Sequence, residues 1–324
     1  MMSLPVIFPN RRGERLFGIL EEPAEPVRHD TAVLLLSPGV KMRVGPQRLY
    51  TRMSRQFVDL GFPVLRFDYY GLGDSEGEVK EALLKDVYNH IEVGRFVGDT
   101  IDAMNWLQAE HGKQRFILAG LCGGAVTGLL VGAQDPRVAG LLGLGITPVL
   151  ASRAANPALY MTSGELSLMR RTYFSKLLNP FAWWRLLSMK SDYTLLWRSL
   201  MQPFRPARTT PATTEPSAAN ADNTNPLFAP ALFAIADSGR PLLLVFGGAD
   251  RLQWEFEEKF AARYRERLAG LSGLCQVHVI ANANHTLSFQ EWQQEMLEVT
   301  RGWLASRFDP SVAPAPSGRA DAGA

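Results

Sequence analysis

Two cysteines in 324 residues are too few for a disulfide framework, so the chain reads as cytoplasmic, from a reducing compartment. A net charge of +2 gives no footprint for nucleic acid. Long hydrophobic runs are missing too: the stretch from Leu118 to Ala133 is glycine-rich and shorter than a membrane span. The opening Met1-Met2-Ser3-Leu4-Pro5 lacks a basic segment followed by a long apolar one, so no signal peptide is expected. No cluster of ligand-type side chains has metal-binding spacing, and neither metal nor organic cofactor is implied. What the chain does have is 46% hydrophobic residues, enough to bury a core as one large domain plus an insertion.

The most informative segment is Gly120-Leu121-Cys122-Gly123-Gly124, where the apolar run Phe116-Ile117-Leu118-Ala119 gives way to small residues. A Gly-x-nucleophile-x-Gly pattern at a strand-to-helix turn is a nucleophile elbow, here with cysteine in place of serine. The glycines are needed because the turn is so tight that a Cβ two residues to either side would clash with backbone. The alternative is a small buried cysteine after a core strand.

Such an elbow predicts an acid and then a histidine downstream, each just after a strand. The run Arg240-Pro241-Leu242-Leu243-Leu244-Val245-Phe246 suits a strand buried on both faces and leads through Gly247-Gly248-Ala249 to Asp250. The next strand, Cys275 to Ile280, is followed by Ala281-Asn282-Ala283-Asn284-His285, before a helical pattern restarts at Phe289. Asp250 is a candidate acid, with a helix N-cap as the alternative. Of His29, His90, His111, His278 and His285, only His285 has both the right order and the right loop; His278 lies inside a strand.

The chemistry follows from proton affinity. A free thiol is only a few per cent thiolate at neutral pH, whereas one at a helix N-terminus beside an imidazolium is activated. Asp250 would hold the His285 tautomer and stabilise its charged form. A tetrahedral oxyanion needs two backbone donors: the N–H of Gly123 and, from the loop Ser37-Pro38-Gly39-Val40-Lys41 after the third strand, that of Val40.

The chain resembles the α/β-hydrolase superfamily throughout its core and, more narrowly, the hydrolases associated with exosortase A systems, encoded with exopolysaccharide and protein-sorting machinery in bacteria. The segments that carry the resemblance are Phe8 to Gly18, Arg43 to Arg48, Arg66 to Gly77, Gly120-Leu121-Cys122, the stretch ending at Asp250, and Asn284 to Ser288. They lie between about residues 5 and 305, and Asp68-Tyr69-Tyr70-Gly71-Leu72-Gly73-Asp74-Ser75-Glu76-Gly77 is the most specific of them. In its elbow cysteine the chain is similar to dienelactone hydrolases. The resemblance implies an α/β fold with a mostly parallel central sheet flanked by helices and a helical lid inserted after the sixth strand.

The first two strand-like runs, near 4–9 and 15–20, are expected to form an antiparallel edge of that sheet. The expected organisation is a first core part at 1–150, a lid at 151–238 with a mobile 205–226 segment, a second core part at 239–308 and a disordered tail at 309–324. The lid carries large aromatics, Trp183 and Trp184 among them, that would line an apolar acyl pocket. Between 151 and 201 seven basic residues face two acidic ones, Glu165 and Asp192. That balance suits peripheral contact with an anionic membrane or an acyl-carrier or coenzyme A thioester. Alternatively, the aromatics pack on the core and the charges face solvent.

Asp74 and Arg66 read as organisers of the turn-rich loop after the strand at Pro63 to Phe67. Arg43, beside the oxyanion loop, is either a binder of an anionic substrate group or a solvated arginine. The expected activity is cleavage of a small-molecule ester or thioester through an acyl-cysteine, with Cys122 as nucleophile, His285 as base and Asp250 as orienting acid. Acyl transfer by the same three residues is the alternative within catalysis. A non-catalytic binding protein on the same scaffold is the alternative outside it.

Overall fold

The computed structural model describes residues 1–24, 30–150 and 223–308. These belong to one compact unit formed by the chain on either side of residues 154–222. Trp183, Trp184, His29, the expected tail at 309–324 and the expected insertion up to residue 222 lie outside the described residues.

Eight strands form one sheet in the order β1-β2-β4-β3-β5-β6-β7-β8. They are β1 (Met2–Pro9), β2 (Arg15–Glu22), β3 (Thr31–Leu36), β4 (Val64–Phe67), β5 (Arg115–Leu121), β6 (Val138–Leu144), β7 (Leu242–Gly247) and β8 (Cys275–Ile280). β1 pairs antiparallel with β2, and β2 with β4; all other pairs are parallel. The expected mostly parallel sheet with its antiparallel edge is therefore observed.

The strand sequences explain why the sheet is covered on both faces. Every residue of β3, β4, β6 and β7 is buried, as continuous apolar runs require. Alternate residues point to opposite faces. Leu34, Leu36, Leu118, Leu141 and Leu244 join one core layer, while Val33, Leu35, Ile117, Ala119, Leu142 and Val245 join the other. Helices α2 (Leu84–Glu92), α3 (Val97–His111), α4 (Gly123–Gln134) and α5 (Phe228–Asp237) contribute to the first layer. Helices α1 (Leu49–Asp59) and α8 (Gln290–Phe308) contribute to the second. Two short helices, α6 (Arg251–Phe256) and α7 (Arg265–Gly270), lie between β7 and β8.

One boundary differs from expectation. Residues 223–238, read from sequence as the end of the insertion, belong to the core unit. Leu232 and Ile235 of α5 are fully buried, and a Cβ on Gly132 of α4 would meet Ile235 Cδ1 at 2.7 Å. The mean apolarity of α5 hides this in the sequence, because an apolar helix suits a lid as well as a core.

Candidate active site

β5 ends at Leu121 and α4 begins at Gly123, leaving Cys122 alone in the turn with φ 55° and ψ −119°. A non-glycine residue there is strained, and the surrounding bonds hold it: Cys122 N–H donates to the Leu144 carbonyl at 2.8 Å, and the Cys122 carbonyl accepts from Val126 N–H at 3.1 Å. The need for glycine on either side is visible directly. A Cβ on Gly120 would overlap the Gly124 backbone, and one on Gly124 would overlap the Leu36 carbonyl. The thiol therefore stands at the positive end of α4, beside helix N–H groups that lack intrahelical acceptors.

Asp250 and His285 are set by two loops bonded to each other. Gly248 N–H donates to the Ile280 carbonyl at 2.8 Å, and Ala249 N–H to the Ala283 carbonyl at 2.9 Å. Gly247 permits this approach, since a Cβ there would run into the Ala283 carbonyl. The Asp250 side chain, 5% exposed, serves both roles considered from sequence. Oδ1 accepts from Leu252 N–H at 3.1 Å and caps α6, while Oδ2 lies 2.8 Å from His285 Nδ1. With Nδ1 engaged by Asp250, the ring keeps its other nitrogen for a second partner, and Cys122 is among the groups that act on its proton affinity. Burial works to lower the His285 pKa, but the bonds to Asp250 and Cys122, with the charges they carry, push it up to about 10. Cys122, Asp250 and His285 are thus brought together from three loops at the carboxyl ends of the strands, where open α/β sheets hold their ligands.

The loop after β3, which holds Gly39 and Val40, lies against the elbow: a Cβ on Gly123 would stand 3.2 Å from Gly39 Cα. Among the described residues, the N–H groups of Gly123 and Val40 meet no acceptor.

Arg43 requires correction. Its side chain is 12% exposed and pairs with both Asp68 and Asp74, the latter at 2.7 Å, while its guanidinium lies over the Phe17 ring. Neither a solvated arginine nor a free binder of substrate anions, it clamps the loop after β4. Asp74 organises that loop as expected, through Arg43 and through its N–H to Asp68 at 3.1 Å. Arg66 does not: it lies within β4 and pairs with Glu21 of β2 at 2.9 Å, its diagonal neighbour on the same face of the sheet. His278 bonds Glu295 of α8 at 2.8 Å, away from the elbow.

Three residues near the site escaped sequence reasoning. Gly145 follows β6 with φ 49°, and a Cβ on it would stand 3.2 Å from His285 Nδ1 and 3.3 Å from Asp250 Oδ2. Tyr50 of α1 is fully buried; its hydroxyl donates to the Leu36 carbonyl at 2.6 Å and accepts from Leu121 N–H at 2.8 Å. It bolts the origin of the oxyanion loop to the residue before Cys122. A tyrosine on an apolar helix face beside Met53 and Phe57 is the signal that points to it, because its buried hydroxyl must find partners. The third, Tyr88 of α2, lies beside Gly39. Among the described residues, no group of three or more His, Cys, Asp or Glu side chains is arranged to hold a metal ion, and no helix is long and apolar enough to cross a membrane.

The model of the family described as alpha/beta hydrolase family matches residues 34–299. No curated protein matches the chain. Among solved structures, the Pyrococcus furiosus esterase Pf2001 superposes with a TM-score of 0.57 at 16% identity, covering 94% of this chain and 93% of the esterase. The esterase domain of a Rhodothermus marinus protein gives 0.51 at 19% identity, with 94% and 99% covered. A protein of unknown function from Agrobacterium tumefaciens gives 0.55 at 18% identity, with 97% and 100% covered. At these identities the structural likeness speaks to the fold alone.

Proposed function

We propose, from the premise that the chain belongs to the alpha/beta hydrolase family, that it cleaves a small-molecule ester or thioester through an acyl-cysteine formed on Cys122. The observation that carries this reading is His285 Nδ1 held 2.8 Å from Asp250 Oδ2, together with Cys122 strained at φ 55° in the turn that opens α4. With its pKa up to about 10, His285 is an imidazolium at neutral pH.

In the reaction the thiolate attacks the acyl carbon, forming the C–S bond while the carbonyl π pair moves onto oxygen. The N–H groups of Gly123 and Val40 receive that oxyanion. Collapse restores the carbonyl and breaks the bond to the leaving group, which takes a proton from His285. His285 then accepts a proton from water as it attacks the acyl-cysteine, releasing the acid and regenerating the thiolate–imidazolium pair. The two esterases among the solved structures are compatible with this substrate class. The narrower kinship with exosortase A-associated hydrolases rests on segments such as Asp68 to Gly77. Since Asp68 and Asp74 serve as scaffold there, they support kinship without pointing to a substrate.

The test is the pH dependence of Cys122 alkylation by iodoacetamide, with Cys275→Ser present throughout and His285→Ala as the comparison. Rapid labelling that is slowed without His285 is expected, together with turnover of p-nitrophenyl acetate. Ordinary thiol reactivity unaffected by His285→Ala, in folded protein, overturns the mechanism.

A further inference from the structure

The elbow and the oxyanion loop share a roof that the mechanism above does not use. α2 crosses them with Tyr88 and Ile91, one turn apart on one face of the helix. Ile91 covers the elbow: a Cβ on Gly123 would stand 2.8 Å from its Cγ2. Tyr88 covers the oxyanion loop: a Cβ on Gly39 would stand 2.7 Å from its ring Cε1 and 3.3 Å from its hydroxyl. Gly39 itself lies against Gly123, so Tyr88, Gly39 and Gly123 form one continuous layer beside Cys122. Tyr88 is half-buried, its ring packed on the same core layer as Val40.

The Tyr88 hydroxyl has no hydrogen-bond partner among the described residues, although a tyrosine held in place by its ring ordinarily finds one. Burial, reinforced by charge on Cys122 and Glu92, raises its pKa, so the phenol is a proton donor at neutral pH. Gly39 is what lets the ring approach, for any side chain there would displace it.

We propose that Tyr88 is a further catalytic residue, whose hydroxyl donates a hydrogen bond to the acyl oxygen as the third donor of the oxyanion hole. This rests on the acyl-cysteine reading above. The phenol keeps its proton throughout: it stabilises the negative charge while the C–S bond forms, and the same bond weakens when the carbonyl is restored. A neutral donor of this kind acts on the transition state more than on the bound ester.

Tyr88→Phe keeps the ring packing and removes only the donor. With p-nitrophenyl acetate, kcat is expected to fall by about 10- to 100-fold at nearly unchanged KM, below the loss usual for a backbone-type oxyanion donor because two donors remain. Alkylation of Cys122 by iodoacetamide, which passes through no oxyanion, is expected to match wild type. An unchanged kcat overturns the proposal, as does a loss confined to KM, which would make Tyr88 a substrate contact. Alkylation slowed in parallel with kcat also overturns it, since Tyr88 would then act through the thiol. Wild-type protein that neither alkylates rapidly nor turns over the ester fails at the acyl-cysteine reading itself, and Tyr88's role falls with it.

Discussion

Replacing Asp250 separates two tasks carried by its two oxygens. Oδ1 caps α6 through Leu252 N–H at 3.1 Å, and Oδ2 orients His285 through Nδ1 at 2.8 Å. Asparagine is as good an N-cap as aspartate, so Asp250→Asn retains the cap but turns an amide N–H toward His285 Nδ1. That nitrogen must then accept, placing the ring's proton on the nitrogen that faces Cys122, where it can no longer take up the thiol proton. The loss of kcat/KM is expected to be at least about 100-fold, smaller than for a serine nucleophile because a thiol is intrinsically more reactive. Both Asp250→Asn and Asp250→Ala forfeit a hydrogen bond to a charged group, about 1.5–3 kcal/mol. Only alanine also loses the cap, about 1 kcal/mol more, or roughly 2–4 °C in a thermal unfolding scan. Turnover of p-nitrophenyl acetate and circular-dichroism melts of the three proteins check this. Equal melting of the two variants refutes the cap, and wild-type turnover in Asp250→Asn refutes the orienting role.

Further predictions follow from the same structure. The pKa of His285 is higher in the folded protein, at about 10, than the roughly 6.5 of an unfolded histidine. Its protonation therefore favours folding most below about pH 6.5, and the gain declines as pH rises toward about 10. The urea midpoint difference between wild type and His285→Ala should shrink across that window, and a constant difference contradicts the linkage. Hydrolysis should also lose its imidazolium acid near pH 10, bending the kcat/KM profile downward on the alkaline side. Arg43→Ala leaves Asp68, which is fully buried, without its counter-charge. A loss of about 3–5 kcal/mol in urea unfolding is expected, and one below about 1 kcal/mol would disprove the clamp. Tyr50→Phe strands the Leu36 carbonyl and the Leu121 N–H, costing about 1–3 kcal/mol, with slower Cys122 alkylation as the elbow loosens. Unchanged stability and alkylation would refute the bolt.

Much of this molecule is legible in the residue order because local rules carry it. Continuous apolar runs at Leu34, Leu118, Leu141 and Leu244 suit strands covered on both faces, and they are the middle of the sheet. Glycines flanking Cys122 signalled a turn that excludes Cβ atoms, and the chain order of Cys122, Asp250 and His285 placed each after a strand. Asp250 was readable only as a choice between cap and acid. The fold removes the choice, since a carboxylate has two oxygens and the α6 N-terminus and the His285 loop approach it from different sides.

What only tertiary structure decided is what depends on distant segments meeting. Arg43 reads as a free cation until the loop after β4 closes over it with Asp68 and Asp74. Nothing near residue 66 in sequence announces Glu21, because the antiparallel pairing of β2 with β4 joins segments some forty-five positions apart. Tyr50, Tyr88 and Gly145 come to the site from three further elements, each with ordinary local sequence. The local pattern determined where the chain turns and which faces are apolar. The long-range packing of helices and loops at the carboxyl ends of the strands decided which polar groups are spent on scaffold and which remain free beside Cys122.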